Sequence, residues 1–472
     1  MTSPSPRDAA PLLQPATADA ASPASPAFSR VRLENVMAAS AVAGCNNGAA
    51  ARGEGEVIYW LWDSAQLPMY TECAKVFHEQ NPQYSVKIEQ YGWNDYWSKL
   101  VTGFISDTAP DVFTGHSSKY PLFADKGQVL PIDDYVSRDN VDLSIYQKGL
   151  ADRWIGNDGK RYGLPKDWDT EVYFYNSAFT EAAGISTEQL NSMTWNPQDG
   201  GTFEQIVRRL TVDSKGRRGD QPGFDKDNVK VYGLGYGDAG GGDGQTSWSW
   251  YAATNGWKYS EGEPWGTKFF YGDPKFTDTI GWWRGLITKG YMPTYAQAKS
   301  GVDVTTSFGA GKYGMTPNGS WMLGTYGGLK QVKTKLARLP IGPIGKRMSM
   351  MNGLADTIWA GTTRREASWA WVKFLGSQTA QDIVAKAGVV FPAVAASMPA
   401  AKAAFAKSGW DVTPFLEPVE AGNVFPYPAN PNAADVTAVM TPAMESVMSF
   451  EADPSSLSKA NNDVNKILSA NT

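Results

Sequence analysis

Histidine and cysteine are almost missing from this sequence. It has two of each in 472 residues: His78 and His116, Cys45 and Cys73. Zinc centres commonly draw on several His or Cys ligands, so zinc chemistry is not expected. Nor can two cysteines build a disulfide framework, and Cys73 falls within a helical pattern, where it reads as a buried, inert thiol. No apolar run reaches the roughly 18 residues of a membrane span. No basic block offers a footprint for nucleic acid, and the formal net charge is -5 with both signs spread along the chain. Glycine motifs for phosphate are lacking too. Gly233, Gly235 and Gly237 open no convincing strand-to-helix loop, and Gly311-Lys312 lacks the spacing of a P-loop. Asp225 and Asp227 resemble calcium ligands in type, but no glycine stands at the sixth loop position, so they read as part of a solvated hairpin. No cofactor and no metal is expected.

What is plentiful is aromatic surface. Phe, Trp and Tyr make up 12% of the chain, with 18 Trp, in a globular composition that is 42% hydrophobic and 19% charged. Most of these rings are core. The flat apolar face of Trp also suits the C–H face of a sugar ring, whose hydroxyls then seek polar partners. At the amino end, residues 1–29 are rich in Pro, Ala and Ser. Arg30 and Arg32 then precede the apolar stretch 36–43 and the run Val42-Ala43-Gly44-Cys45, which resembles a bacterial lipoprotein signal with Cys45 as the lipidated residue. Glu34 and the shortness of the apolar stretch depart from that pattern. Residues 46–55 read as a tether, so 1–55 is set apart from the folded chain.

From residue 57 strands and helices alternate. Residues 57–62 read as a buried strand, 68–80 as a helix, 84–91 as a strand and 110–113 as the start of a third strand. Between the last two, Trp93, Tyr96, Trp97, Leu100, Val101 and Phe104 form an apolar helical stripe. This order implies a parallel sheet with ligands at the carboxyl ends of its strands. A long strand at 171–176 leaves the first lobe, 213–230 reads as an exposed hairpin, and helices are expected over 275–289, with Trp283 in the core, over 364–375, and through most of the chain beyond 400.

Three motifs then carry a family resemblance. The first is Ala109-Pro110-Asp111-Val112-Phe113, followed by Tyr120-Pro121-Leu122-Phe123-Ala124-Asp125-Lys126-Gly127 and Leu130-Pro131-Ile132-Asp133. The second is Tyr162-Gly163-Leu164-Pro165 with Asp169 and Tyr173-Phe174-Tyr175-Asn176. The third is Phe308, Gly311-Lys312, Met315 and Asn318-Gly319-Ser320-Trp321. In this order the chain, from about 56 to 468, resembles the extracellular solute-binding proteins of ABC sugar importers, in the maltose-binding branch. The resemblance implies an α/β, two-lobe periplasmic-binding-protein fold (type II). Each lobe would be a mainly parallel sheet flanked by helices, with hinge crossings near 165–170 and 308–320. It places 56–166 and 313–365 in the first lobe and 167–312 and 366–468 in the second. It also implies a monomeric, lipid-anchored binder at the outer face of the cell membrane, which passes a carbohydrate to permease subunits and performs no catalysis.

Candidate ligand residues come from both sources. Trp62 and Asp63 end the first strand, Tyr91 the second, and His116 and Ser117 the third, each at the edge where a parallel sheet presents its cleft. The resemblance adds Trp321 as a sugar-stacking ring, with Asn318 and Ser320 shaping its turn. It also adds Asp169 as a bidentate acceptor of hydroxyls, with Lys166, Asp167 and Trp168 in the same stretch, and the loop of Asn352, Gly353 and Asp356. Trp248 and Trp250 follow a glycine run. Two residues apart on a helix they face different ways, so one is a platform candidate and the other core. The ligand is expected to be a sugar, an oligosaccharide first. A monosaccharide such as galactose is the alternative, as is glycerol phosphate, which the absence of arginine from these loops disfavours. A glycoside hydrolase built on Asp167 and Asp169 is the rival from another class. Neighbours on one strand approach a sugar from one side, whereas hydrolysis needs carboxyls flanking the bond.

Overall fold

A computed structural model describes residues 55–237 and 239–470. Cys45 and the signal-like segment lie outside the described residues. The strands, in chain order, are β1 (Glu56–Leu61), β2 (Ser85–Gln90), β3 (Val112–His116), β4 (Leu164–Asp169), β5 (Glu171–Asn176), β6 (Val212–Asp213), β7 (Val229–Leu234), β8 (Ser260–Glu261), β9 (Lys268–Phe269), β10 (Tyr313–Gly319), β11 (Thr334–Ala337), β12 (Ser349–Met350), β13 (Asn352–Ile358), β14 (Phe391–Pro392) and β15 (Val424–Phe425). Two sheets organise two lobes. The first runs β14-β4-β13-β3-β1-β2 and the second β11-β5-β10-β7-β6.

In the first sheet β2, β1 and β3 are parallel, as the alternation of strands and helices requires. β13 then enters antiparallel between β3 and β4. The second sheet is mixed as well, with β10 parallel to β7 and antiparallel to β5. The α/β two-lobe architecture is as expected, and its sheets carry more antiparallel pairing than a mainly parallel reading implies. Helix Leu67–Gln80 covers one face of the first sheet through Met69, Tyr70, Cys73 and Phe77. Burial pushes the Cys73 thiol up to about 12, so it stays protonated and inert. Helix Trp93–Ile105 covers the other face through Tyr96, Leu100 and Phe104. Its Gly103 is required because a Cβ there would stand 2.9 Å from the Ala109 backbone. Asp111, of the first motif, is a structural tie: its carboxylate accepts from the Ile58 amide (2.9 Å) and the Thr362 hydroxyl (2.6 Å).

β4 ends at Asp169 and β5 begins at Glu171, so the first crossing between sheets is one residue long. That residue, Thr170, is buried and donates to the Phe415 carbonyl at 2.7 Å. A second crossing lies at Met350–Asn352, between β12 and β13. The expected crossing at 308–320 does not exist. β10 stays within the second sheet, and its end merely leans on the first crossing through the Ser320 amide and Thr170 carbonyl (3.1 Å). The expected division at 313 therefore falls inside the second lobe. Residues 366–387 pack on the first lobe, where Trp369, Trp371, Phe374 and Val384 join Tyr59 and Phe77. The second lobe takes the later helices Ala433–Met448 and Leu457–Ala470. A third apolar cluster lies behind the crossings, where Trp168, Phe174, Phe391, Phe405 and Phe415 meet. The stretch 213–230 is a hairpin at its ends, since β6 pairs with β7. Its loop is ordered by buried Asp213, which accepts from the amides of Lys215, Arg217 and Asp225.

Candidate ligand-binding cleft

Because β1, β2 and β3 run parallel, the residues that follow them gather at one sheet edge. Trp62, Asp63, Tyr91, His116 and Ser117 all lie there and are half-buried. The Trp62 ring lies 5.1 Å from Trp93 at 88°, 5.4 Å from Trp97 and 6.3 Å from His116, and Trp93 lies 5.6 Å from His116. These contacts, edge-to-face for Trp93 and tilted for Trp97 and for His116 on Trp62, leave no room for a ligand between the rings. The group is a solid aromatic wall, and Trp93, 43% exposed at the first turn of its helix, is its open member. The helical stripe had grouped Trp93 with core residues. Its place in the first turn, beyond the edge of the sheet, is what frees it.

His116 is neutral at physiological pH. Burial, then the Lys119 charge, push its imidazole down to about 3. The Ser118 amide donates to its Nδ1 at 3.2 Å, so Nε2 carries the proton and remains a donor. Asp63 accepts from the Ala65 amide at 2.9 Å, which caps the turn after β1. The Tyr91 hydroxyl is committed to Glu89, at 2.9 Å.

β4 and β3 are both antiparallel to β13, so β4 ends at this same sheet edge and brings Asp169 there. Asp169 is half-buried and receives long contacts, 3.4 Å each, from the side-chain amides of Gln245 and Asn352, beside a hydrogen bond from the Asn352 backbone. Burial, then the Asp167 charge, push its carboxyl up to about 8, so near pH 7 it can donate as well as accept. Glu171, two residues on, is fully buried, accepts from Ser349 at 2.6 Å and Gln245 at 3.1 Å, and is held well above the usual carboxylate range by burial and then Asp169. Trp321, of the third motif, is half-buried in the turn after β10. A Cβ on Gly319 would stand 1.7 Å from its ring, so glycine is what allows the indole to fold back over the strand end. Asn318 shapes the turn, its Oδ1 accepting from the Gly319 amide at 3.0 Å.

Several expected ligand residues are enclosed instead. Trp248 and Trp250 are each 1% exposed: the first is packed by Trp257, Tyr259 and Phe276, the second by Tyr173 and Tyr251. Both are core, so neither is a platform. Trp168 is buried against Phe391, and its Nε1 donates to the Pro392 carbonyl at 3.0 Å. Lys166 is buried below the cleft, where its ammonium meets Gln66 and Asp167 and lies 4.2 Å from the centre of the Tyr70 ring. Asp167 is thereby spent on Lys166. Asp356 is buried with Tyr59 donating to it at 2.7 Å, and burial pushes its carboxyl up to about 7. Gly353 is buried against Leu150, and Asn352 reaches the site only through Asp169. Asn352 and Gln245 both meet the Asp169 carboxylate.

Sequence reasoning missed Gln245 and Arg153 because only the fold brings them near Asp169, and it missed Glu171 although it stands two residues on. Arg153 donates to the Met351 carbonyl at 2.6 Å and feels the charges of Asp169 and Glu263. Among the described residues no group of three or more His, Cys, Asp or Glu could hold a metal ion, and no helix is long and apolar enough to cross a membrane.

Comparison with known proteins agrees with this architecture. The lactose-binding protein of Rhizobium radiobacter is 28% identical over 180 residues, 36% of this chain and 40% of that protein. The chain thus spans about 40% of the length of this curated relative. The crystal structure of UspC from M. tuberculosis superposes with a TM-score of 0.70 at 23% identity, covering 88% of this chain and 100% of that one. A substrate-binding protein of an ABC system from Listeria monocytogenes, solved with cycloalternan, gives 0.74 at 19% identity, covering 88% and 99%. These likenesses establish the fold. The sequence profile of the bacterial extracellular solute-binding proteins matches residues 72–410, which include the first crossing, Trp93, Trp97 and His116 of the aromatic wall and the Trp321 turn, and the chain belongs to that family.

Proposed function

We propose that this protein captures a carbohydrate, an oligosaccharide first, between its two lobes outside the cell and delivers it to the permease of an ABC importer. The observation that carries this reading is that the Trp62–Trp93–His116 wall and Asp169 with its amide partners lie at the same edge of the first sheet. A sugar needs both: an apolar face to stack on and donors and acceptors for its hydroxyls. The names of the relatives support it, since one binds lactose and another was solved with a cyclic oligosaccharide. Glycerol phosphate fits poorly, because Arg153 is tied to Met351 and the crossing is lined with carboxyls. Hydrolysis fits poorly too, because Asp167 is buried against Lys166 and cannot flank a bond.

A thermal-shift screen over mono- and oligosaccharides tests the reading. A ligand at 100 times its Kd stabilises by about 2.7 kcal/mol. A panel in which no sugar raises the Tm, while glycerol phosphate does, would replace it. On the same reading Cys45 carries a diacylglyceryl thioether after loss of residues 1–44, holding a monomer beside its permease. Mass spectrometry of native protein with an intact, unmodified amino terminus would sink that part.

A further inference from the structure

One contact between the lobes involves none of the candidate ligand residues. β8 and β9 form a hairpin of the second lobe, with Ser260 opposite Phe269 and Glu261 opposite Lys268. Its base is held in that lobe: Phe269 is fully buried in the core, its amide donates to Asn465 at 2.8 Å, and Asn465 donates back to its carbonyl at 3.0 Å. Its tip is held as well. The Ala429 amide donates to the Pro264 carbonyl at 2.9 Å, the Gly266 amide to the Ala429 carbonyl at 3.1 Å, and buried Asn430 to the Gly266 carbonyl at 2.7 Å. The tip is therefore a braced arm of the second lobe, and its side chains are carried at a fixed place.

Trp265, on that tip, reaches the first lobe. Its Nε1 donates to the Ile155 carbonyl at 3.3 Å, and its ring lies 6.3 Å from Tyr120 at 73°. It packs against the apolar cluster that holds Ile58, Trp60 and Trp154. The receiving surface is braced too, because the Tyr120 hydroxyl donates to the carbonyls of Arg153 (2.8 Å) and Ile155 (3.1 Å). Two charge pairs across the same rim run the favourable way, Glu263 towards Arg153 and Asp243 towards Lys119.

We infer that Trp265 is a clasp: an indole carried on a rigid arm of the second lobe that docks on the 120–155 surface of the first and favours the closed arrangement by itself. Two rigid surfaces meeting through one large ring make a two-state contact, formed or broken, rather than a gradual one. The closing equilibrium is then biased before any sugar adds its own preference.

The test uses the full chain with Cys45→Ser and spin labels at Lys126→Cys on the first lobe and Lys268→Cys on the second. Cys73 is fully buried and takes no label. Pulsed electron–electron resonance on the ligand-free protein should give one narrow, short distance. Trp265→Ala should add a longer, broader population, and Trp265→Phe, which loses the indole N–H and part of the ring, should fall between. A thermal melt checks that each variant is folded. Should Trp265→Ala not fold, Trp265→Phe carries the same test. A Trp265 variant whose distances superimpose on those of the parent, or a parent dominated by the long distance, overturns the clasp. No sugar is needed for the readout, so failure of the carbohydrate reading leaves this result unaffected.

Discussion

Trp93, Trp321 and Trp248 are the same side chain in three settings, and they should respond differently to the same substitution. Trp93 is 43% exposed on the aromatic wall, and Trp321 is half-buried over the end of β10. If each offers a face to sugar, Trp93→Ala and Trp321→Ala should weaken binding at least about tenfold, about 1.4 kcal/mol, with little change in melting temperature. Titration calorimetry beside a melting curve checks this, and full affinity in a folded Ala variant removes that ring from the site. Trp248, 1% exposed among Trp257, Tyr259 and Phe276, should do the reverse. Trp248→Ala should cost about 3–5 kcal/mol in denaturant unfolding and leave the affinity of the folded fraction intact. The sequence could place Trp321, because Asn318-Gly319-Ser320-Trp321 is a motif whose glycine has a steric reason. It could not separate Trp93 from Trp248. Helical period tells which residues share a stripe, whereas exposure depends on where the stripe runs past the edge of its sheet.

At the scale of elements, the neighbouring strands β4 and β13 have a pH signature. The folded carboxyls of Asp169 and Asp356 sit at about 8 and about 7, above the ordinary 3.8, with burial the first cause in both. As pH rises past the ordinary carboxyl range the unfolded chain gives up these protons while the folded chain keeps them. The unfolded state then binds fewer protons, so stability falls with rising pH until the folded groups ionise as well. Ligand-free protein should therefore lose melting temperature steadily between pH 5 and pH 8. Asp169→Asn, which fixes the neutral form, should flatten part of that decline, and an unchanged slope in the Asn variant would show that Asp169 ionises normally. The position of most elements was legible: the helix expected at 275–289 is Pro274–Thr288, and that expected at 364–375 is Arg365–Leu375. Which sheet a strand joins was not. The stretch 352–356, expected as a loop, is instead the buried start of β13, and only pairing with distant partners sends β10 to one sheet and β13 to the other.

For the whole molecule, the one-residue crossing at Thr170 and the short one at Met350–Asn352 join two firm cores, as hinge closure requires. Small-angle scattering should show the radius of gyration falling when sugar saturates the protein. The fall should be larger in Trp265→Ala than in the parent, because the parent starts nearer the closed state. Expansion on adding sugar, or no change in either protein, would count against closure. The same crossings set the order in which the protein can be made. β13 occupies a central slot of the first sheet, between β3 and β4, yet it is residues 352–358 of the chain. At ~5–20 residues per second, a ribosome finishes β1 tens of seconds before it supplies the strand that completes the sheet around it. A growing chain thus carries unpaired strand edges until β13 has been made.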